Sequence, residues 1–233
     1  MKDLRPIKGK YYIARLIAEG EHEHQDFKYA ISDAAKIAHS ISAFANNGGG
    51  MLLIGVKDNG VVAGVRHEED IYVVEQAAQM YCDPPQQLTF TAFATEGGLK
   101  VIRVEIPRAT RRPVMCRDDA GRYRAYYRVA DENLPATDIM TASWRRKDDD
   151  TTPGATFTRD MATVLSVIDN RRGISVKEIM TGLHISRGAA EEAVTALYAI
   201  GMVDFAYIDG DFRIIATDTA GDNTTSDKDD EQL

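Results

Sequence analysis

One stretch in the first quarter of the sequence constrains the fold more than any other. Over residues 33–46, small and apolar side chains recur at steps of three and four, which predicts a helix with one buried face. The glycines at 48–50 allow a tight turn, and Asn46 or Asn47 could take the left-handed conformation that ends a helix. The apolar run 51–56 predicts a strand that is covered on both faces. A helix, a glycine turn and a buried strand should therefore form the core of a domain.

The remaining pattern divides the chain into a mixed domain and a smaller helical one. Asn59-Gly60 predicts a hairpin turn, with a return strand over 61–65. A helix over 69–81 precedes the strand-rich residues 88–129, and one more helix completes an α+β domain. A charged segment with proline and glycine follows and predicts a linker. We predict a lead-in at 1–9, an α+β domain at 10–147, a linker at 148–157, a small domain at 158–216 and a disordered acidic tail at 217–233.

Three helices and a hairpin in residues 158–216 resemble a winged helix-turn-helix domain. Ser175 with Glu178 predicts a capping box at the second helix, and Ser186 predicts the start of the third. Arg187, near the start of this third helix, could reach a base edge in DNA. The two glutamates that follow it would repel phosphates, so the sequence favours a packing or homodimerising role for this domain.

Several short motifs occur in an order that is typical of one protein family. They are Glu21, Asp26-Phe27-Lys28, Ala43-Phe44-Ala45-Asn46, Gly48-Gly49-Gly50, Ile54-Gly55-Val56 and, later, Tyr126-Tyr127-Arg128. Over about residues 10–147 the chain therefore resembles the Schlafen AlbA_2 family, which is also labelled divergent AAA or DNA-binding. The resemblance implies an α+β fold with a mixed sheet and flanking helices, and nucleic acid as a partner. The divergent-AAA label also implies nucleotide binding, but the glycine run precedes a strand and lacks the Gly-Lys-Ser/Thr of a phosphate loop.

The charge distribution also favours a nucleic-acid partner, either DNA or RNA. The whole chain has a net charge of −8, yet residues 100–147 carry twelve basic and six acidic side chains. Arginine forks suit phosphates, and the band's tyrosines, Tyr123, Tyr126 and Tyr127, offer stacking faces to unpaired bases. Alternatively, the band is a solvated sheet face whose arginines pair with neighbouring acids. The side chains that we predict to contact nucleic acid are Lys28, Arg103, Arg111, Arg112, Arg117, Arg122, Arg124, Tyr126, Arg128 and, in the C-terminal domain, Arg187.

Three carboxylates give a second interpretation, which depends on the family resemblance. Some Schlafen-family members cleave RNA, and their three acidic residues resemble Glu21, Asp26 and Asp58 of this sequence. Clustered carboxylates can hold Mg²⁺ or Mn²⁺, which activates water and stabilises a phosphoryl transition state. Asp26 departs from the family pattern, because it is one methylene shorter than the usual glutamate. Alternatively, the three acids cap turns and face solvent.

The sequence also indicates where the chain works. No apolar run approaches the ~20 residues that span a bilayer, so we expect no membrane partner. The first residues lack the apolar region of a signal peptide. Cys82 and Cys116 lack metal-ligand spacing, and although a disulfide between them stays open, we predict reduced thiols and a cytoplasmic location.

Three functions remain open at this point. The first is a nucleic-acid-binding regulatory protein, for example in transcription. The second is a metal-dependent ribonuclease that uses Glu21, Asp26 and Asp58. The third is an assembly module that dimerises through its C-terminal domain without contacting nucleic acid.

Overall fold

A computed structural model describes most of the chain, as residues 4–65, 69–95, 97–117, 120–149, 156–168, 170 and 172–217. The chain forms two compact units, Met1–Asp148 and Asp149–Leu233. Most of the predicted linker, and the predicted tail from residue 218 onwards, lie outside the described residues. The described part contains seven α-helices, and none of them has the length and apolar character that crossing a bilayer requires. The prediction of an α+β fold is confirmed.

The first unit contains a mixed five-stranded sheet with the strand order β1-β5-β6-β3-β2. Its strands are β1 (Ile7–Lys8), β2 (Gln25–Lys28), β3 (Gly50–Ile54), β5 (Thr89–Ala94) and β6 (Lys100–Ile106). The neighbours β2 and β3 are parallel, whereas β6 is antiparallel to both β3 and β5. A parallel pair needs a crossover, and helix α2 (Ala34–Asn46) provides it between β2 and β3.

A second sheet of the same unit is entirely antiparallel, with the order β4-β7-β8-β9. Its strands are β4 (Cys82–Asp83), β7 (Met115–Arg117), β8 (Tyr123–Val129) and β9 (Glu132–Pro135). Helix α4 (Asp138–Lys147) follows, and its Trp144 stacks on Tyr127 of β8 at a ring-centroid distance of 5.9 Å. Trp144 is 1% exposed, so α4 closes one face of this sheet.

Helix α2 forms the centre of the first unit. It begins at Asp33, whose carboxylate accepts hydrogen bonds from the amides of Ala35 and Lys36 and so satisfies two free N–H groups. From Ile37 almost every side chain to the end of the helix is buried, including the polar Asn46. The same core contains residues of both sheets, such as Leu52, Val104, Cys116 and Tyr126. The opposite face of the five-stranded sheet packs on α1 (Lys10–Glu19) through Ile13, Leu16, Phe27 and Leu53.

Two local details differ from the sequence predictions. The residue that turns left-handed after α2 is Gly49, with φ of +83°, and not Asn46 or Asn47. The return strand expected over 61–65 is reduced to a single bridge between Val56 and Val62. The amides of residues 63 and 64 both donate to the carbonyl of residue 55. Residues 61–65 therefore bend back toward the end of β3 and do not form a regular strand beside it.

One predicted helix is also divided. The expected helix over 69–81 consists of α3 (Glu69–Gln76) and a π-helical turn (Ala77–Tyr81) that leads directly into β4. Its apolar spacing is retained, because Ile71, Val74 and Ala78 are buried against α2.

The second unit contains α5 (Arg159–Leu165), α6 (Val176–Leu183), α7 (Arg187–Ala199) and an antiparallel hairpin of β10 (Val203–Ile208) and β11 (Asp211–Ala216). A single bridge pairs Ile174, shortly before α6, with Ile214 of β11. The predicted capping box is confirmed, since Ser175 and Glu178 bond reciprocally at the start of α6. This order of elements agrees with the winged helix-turn-helix interpretation, which stays a prediction.

Candidate functional site

The hairpin of β7 and β8 presents arginines at the surface of the first unit. Arg117, Arg122 and Arg124 are all exposed, and Tyr123 between them is 51% exposed. In the strand register Arg117 lies opposite Tyr123, so these two side chains share a face. Arg124 lies opposite Cys116 and therefore belongs to the other face. Three arginines of the predicted band are thus exposed at the end of the β7–β8 hairpin; residues 118 and 119 lie outside the described part.

Two other predicted contact residues, Arg112 before β7 and Tyr126 in β8, are buried and bonded internally. Arg112 is 7% exposed and donates to both carboxylate oxygens of Asp148, at 2.8 and 3.0 Å. Its guanidinium carbon lies 5.6 Å from the ring centroid of Trp144. Tyr126 is 8% exposed and stacks on His39 at 4.2 Å between ring centroids. These two side chains take part in the internal packing of the unit and are not exposed for contact with nucleic acid.

The other predicted contact residues occupy varied positions. Arg103 is mostly buried; it donates to the hydroxyl of Tyr12 and pairs with Glu105 at 2.8 Å. Arg111 is exposed. In the second unit, Arg187 is exposed and its Nε lies 2.6 Å from a carboxylate oxygen of Glu191 on the same helix. Surface pairs of this kind contribute little to stability, but this one partly neutralises the positive charge of Arg187, the side chain predicted to reach a base edge in DNA.

A cluster of two acids and two cations lies along β2. One carboxylate oxygen of Glu21 accepts a hydrogen bond from the amide of Phe27 at 2.8 Å. Asp26, which is 3% exposed, receives Nζ of Lys28 at 2.7 Å on one oxygen and Nη2 of Arg128 at 3.5 Å on the other. Arg128 is itself 1% exposed and also donates to Asn133 at 3.0 Å. Lys28 and Arg128, both predicted to bind phosphate, are thus engaged with Asp26.

The two acids have pKa values that move in opposite directions. Burial, together with the side-chain hydrogen bond to Asp26, raises the pKa of Glu21 to about 7. Burial also opposes ionisation of Asp26, but the hydrogen bond from Glu21 and the charges of Lys28 and Arg128 together lower the pKa of Asp26 below its usual value. The pair therefore shares one proton, which Glu21 carries.

The third predicted metal ligand does not join this cluster. Asp58 lies exposed in the turn before Gly60. Among the residues that the structure describes, no three His, Cys, Asp or Glu side chains approach closely enough to hold a metal ion. Both oxygens of Asp26 already face a cation. This arrangement does not fit a three-carboxylate Mg²⁺ or Mn²⁺ site, and the catalytic role of Glu21, Asp26 and Asp58 stays a prediction.

An open pocket of about 530 Å³ lies beside the glycine turn. His24, Glu105 and Arg108 line it together with the three glycines. Nδ1 of His24 lies 2.8 Å from the carbonyl oxygen of Gly49. A Cβ atom on Gly49 would lie 2.9 Å from the backbone nitrogen of Arg108, so glycine is needed here for the turn to pack on the end of β6. The glycines thus have a packing role that requires no bound phosphate.

Comparison with known proteins assigns the first unit. The model of the Schlafen, AlbA_2 family matches residues 21–137, which is half of the chain. The chain belongs to this family. Membership of the Schlafen AlbA_2 family suggests a function related to nucleic acid in general, without specifying which one. The matched residues include the α2–glycine turn–β3 core, the acid cluster and the arginine hairpin.

Known structures add little to this Schlafen AlbA_2 assignment. The crystal structure of the DIP2311 protein from Corynebacterium diphtheriae is 18% identical, covers 88% of this chain and 37% of its own, and has a TM-score of 0.44. The chain therefore spans little more than a third of that protein's length. No curated protein matches the chain.

Glutamine in place of Glu21 is expected to remove part of the pH dependence of stability. The pKa of Glu21 is about 7 in the folded chain and near 4.5 when unperturbed, so the fold keeps a proton that the unfolded chain releases between these values. The contribution of this group to stability is therefore complete below pH 4.5 and is lost as the pH rises through 7. Glu21→Gln mimics the protonated form, so it should differ little in stability from the wild type near pH 5 and exceed it clearly at pH 8.

Urea unfolding of Glu21→Gln at those two pH values checks this expectation. Glu23→Gln is the matched control, because Glu23 is exposed and two residues away. A difference between Glu21→Gln and the wild type that is equal at both pH values would show that Glu21 ionises normally. Acid below pH 5 is avoided, because the lowered pKa of Asp26 contributes stability that is lost as the pH falls.

Proposed function

We propose that this Schlafen AlbA_2 family member binds nucleic acid through the arginines exposed on the β7–β8 hairpin. The observation that carries the proposal is the exposure of Arg117, Arg122 and Arg124 around one hairpin tip. Guanidinium groups donate in a fixed fork that matches phosphate oxygens, and they stay charged at any physiological pH. Arg111, which is also exposed, precedes β7 and adds a further cation.

The burial of two arginines reduces the set of residues that can contact a phosphate. Arg112 and Arg128 have charged partners and are almost fully buried. Moving Arg112 out to meet a phosphate would deprive Asp148 of its bidentate partner, and moving Arg128 out would leave the buried Asp26 with Lys28 as its remaining cation; both changes are unfavourable. The proposal therefore excludes both and leaves the hairpin tip as the phosphate-contacting surface.

The proposed role is regulatory, in the cytoplasm, and includes no catalytic step. The second unit, interpreted as a winged helix-turn-helix, would serve packing or dimerisation, because Arg187 at the start of α7 is paired with Glu191. The ribonuclease alternative has no comparable support, since Asp58 does not join Glu21 and Asp26 in a metal-binding group.

Replacing Arg117, Arg122 and Arg124 together with alanine is expected to weaken binding of DNA or RNA by about tenfold or more at moderate salt. Each lost phosphate contact lowers the slope of log Kobs against log salt concentration by about 0.7 for single strands and 0.9 for duplex DNA. The triple variant should therefore lose roughly two to three units of slope. Fluorescence anisotropy with labelled oligonucleotides at 50 and 200 mM salt measures both quantities.

The control variant removes three positive charges at surface positions outside the β7–β8 hairpin. Arg15, Arg145 and Arg159 are exposed and lie outside the hairpin, so their triple alanine variant has the same net charge. This control should bind almost as tightly as the wild type. If the two triple variants lose affinity equally, binding reflects overall charge and the hairpin is not the interface.

A further inference from the structure

The arginine hairpin also carries an aromatic ring that the fold does not use. Tyr123 is 51% exposed, and no described residue stacks on its ring. The other two tyrosines of β8 differ, since Tyr126 stacks on His39 and Tyr127 stacks on Trp144. Sequence alone does not separate the three, because all lie within five residues of one strand. The structure identifies Tyr123 as the one whose ring face is open.

The surroundings of Tyr123 are those of a base-stacking platform. Arg117 lies directly across the ladder on the same face, so the two Cβ atoms are about 5 Å apart. A Cβ atom on Gly121 would lie 3.6 Å from Nη2 of Arg117, which places the guanidinium group beside the turn. Arg122 precedes β8, and Arg124 follows the tyrosine on the other face of the sheet. The open ring therefore has one arginine, Arg117, beside it on its own face.

We propose that Tyr123 stacks on an unpaired base while Arg117, on the same face, holds a neighbouring phosphate, so that the ligand is a single-stranded nucleic acid. This inference rests on the proposed function and names its ligand class. In a duplex both faces of each base are covered by the neighbouring base pairs, and a tyrosine ring at a hairpin tip cannot reach them. In a single strand every base has an available face, and stacking on aromatic side chains is tolerant of sequence.

Stacking and phosphate contacts respond differently to salt, which makes the two separable. Phosphate contacts release counterions and weaken with added salt, whereas stacking carries no charge. Loss of the Tyr123 ring should lower affinity without changing the salt slope. Loss of an arginine should lower both.

The test compares oligo(rU) and oligo(dT) of about 12 nucleotides with a hairpin duplex of the same length. The wild-type chain should bind the single strands more tightly than the duplex. Tyr123→Ala should weaken single-strand binding by roughly 5- to 100-fold with an unchanged salt slope. Tyr123→Phe should stay within about twofold of the wild type, because it keeps the ring. Tyr72→Ala, which removes another half-exposed tyrosine of the same unit, should have no effect.

The outcomes distinguish this inference from the proposed function. If the wild type binds the duplex as tightly as the single strands, or if Tyr123→Ala binds like the wild type, the stacking inference is overturned while the arginine interface stands. If the wild type binds none of the three probes, both fail. The difference between oligo(rU) and oligo(dT) shows whether the 2′-hydroxyl contributes, since stacking and phosphate contacts are common to both.

Discussion

Replacing Asn46 with alanine is expected to lower the free energy of unfolding by about 3–5 kcal/mol. Asn46 is fully buried at the last turn of α2. Its side-chain oxygen accepts a hydrogen bond from the amide of Val114 at 2.7 Å. Its side-chain nitrogen donates to the carbonyls of Val114 and Tyr126, at 2.9 and 3.0 Å. One amide side chain thus joins the central helix to β8 and to the residue that precedes β7.

The expected cost comes from the groups that lose Asn46 as their partner. Alanine would leave the buried amide of Val114 without a side-chain acceptor and take one donor from the carbonyl of Tyr126. Each unsatisfied buried group costs about 1–3 kcal/mol, and the cavity left by the amide adds to this. The carbonyl of Val114 loses less, because it keeps the hydroxyl of Ser42 at 2.7 Å.

The neighbouring asparagine is a matched control. Asn47 is only half-buried and makes one side-chain hydrogen bond, to the carbonyl of Arg128 at 3.3 Å. Asn47→Ala should therefore cost about 1 kcal/mol or less. Urea unfolding of both variants measures the difference. Equal costs for the two substitutions would show that the hydrogen bonds of Asn46 do not carry the stability assigned to them.

Methionine in place of Arg128 should lower the free energy of unfolding by a similar amount, about 3–5 kcal/mol. Arg128 is 1% exposed, lies 5.2 Å from the ring centroid of Phe44 and pairs with the buried Asp26. Methionine can fill much of the space, but it leaves the carboxylate of Asp26 with Lys28 as its remaining cation. Breaking a buried pair from one side is costly because the other charge stays buried.

A double-mutant cycle separates this charge effect from packing. Asp26→Asn combined with Arg128→Met removes both charges, so the double variant should recover part of the stability that Arg128→Met loses. Arg124→Ala provides the comparison on the same face of β8, and it should change stability by no more than about 0.5 kcal/mol because Arg124 is exposed. No recovery in the double variant would mean that Arg128 acts through packing alone.

Arg124 and Arg128 also show how much of the structure a sequence pattern can predict. Alternation along β8 correctly placed Arg124 and Arg128 on one face. It could not show that α2 covers only the inner part of that face, which buries Tyr126 and Arg128 and leaves Arg124 exposed. The helix lies about 80 residues earlier in the chain, and a local pattern contains no information about such a neighbour. The exposed arginines that we propose for binding and the buried structural arginine therefore had the same sequence pattern.

The adjacent pair Arg111 and Arg112 makes the same point at shorter range. In the sequence the two are equivalent, yet one is exposed and the other is held by Asp148, which is 36 residues away. By contrast, features that depend on near neighbours were predicted well, such as the capping box of Ser175 and Glu178 and the start of α2 next to Asp33. Asp26 was predicted only in part: the sequence indicated a functional carboxylate, but it did not show that Lys28 and Arg128 pair with it.

The central position of α2 has a consequence for protein synthesis. Its partner strand β8 is translated about 80 residues later, as the bond between Asn46 and Tyr126 shows. At ~5–20 residues per second, α2 is complete roughly 4 to 16 s before β8 exists. During that interval strands β5 and β6 of the first sheet are also still being made, so a helix that is buried on nearly every side in the folded unit lacks most of its cover. A chain whose synthesis pauses between these elements therefore exposes the apolar surface of α2 to chaperones. Once the chain has been made up to residue 148, all the elements that cover α2 are present.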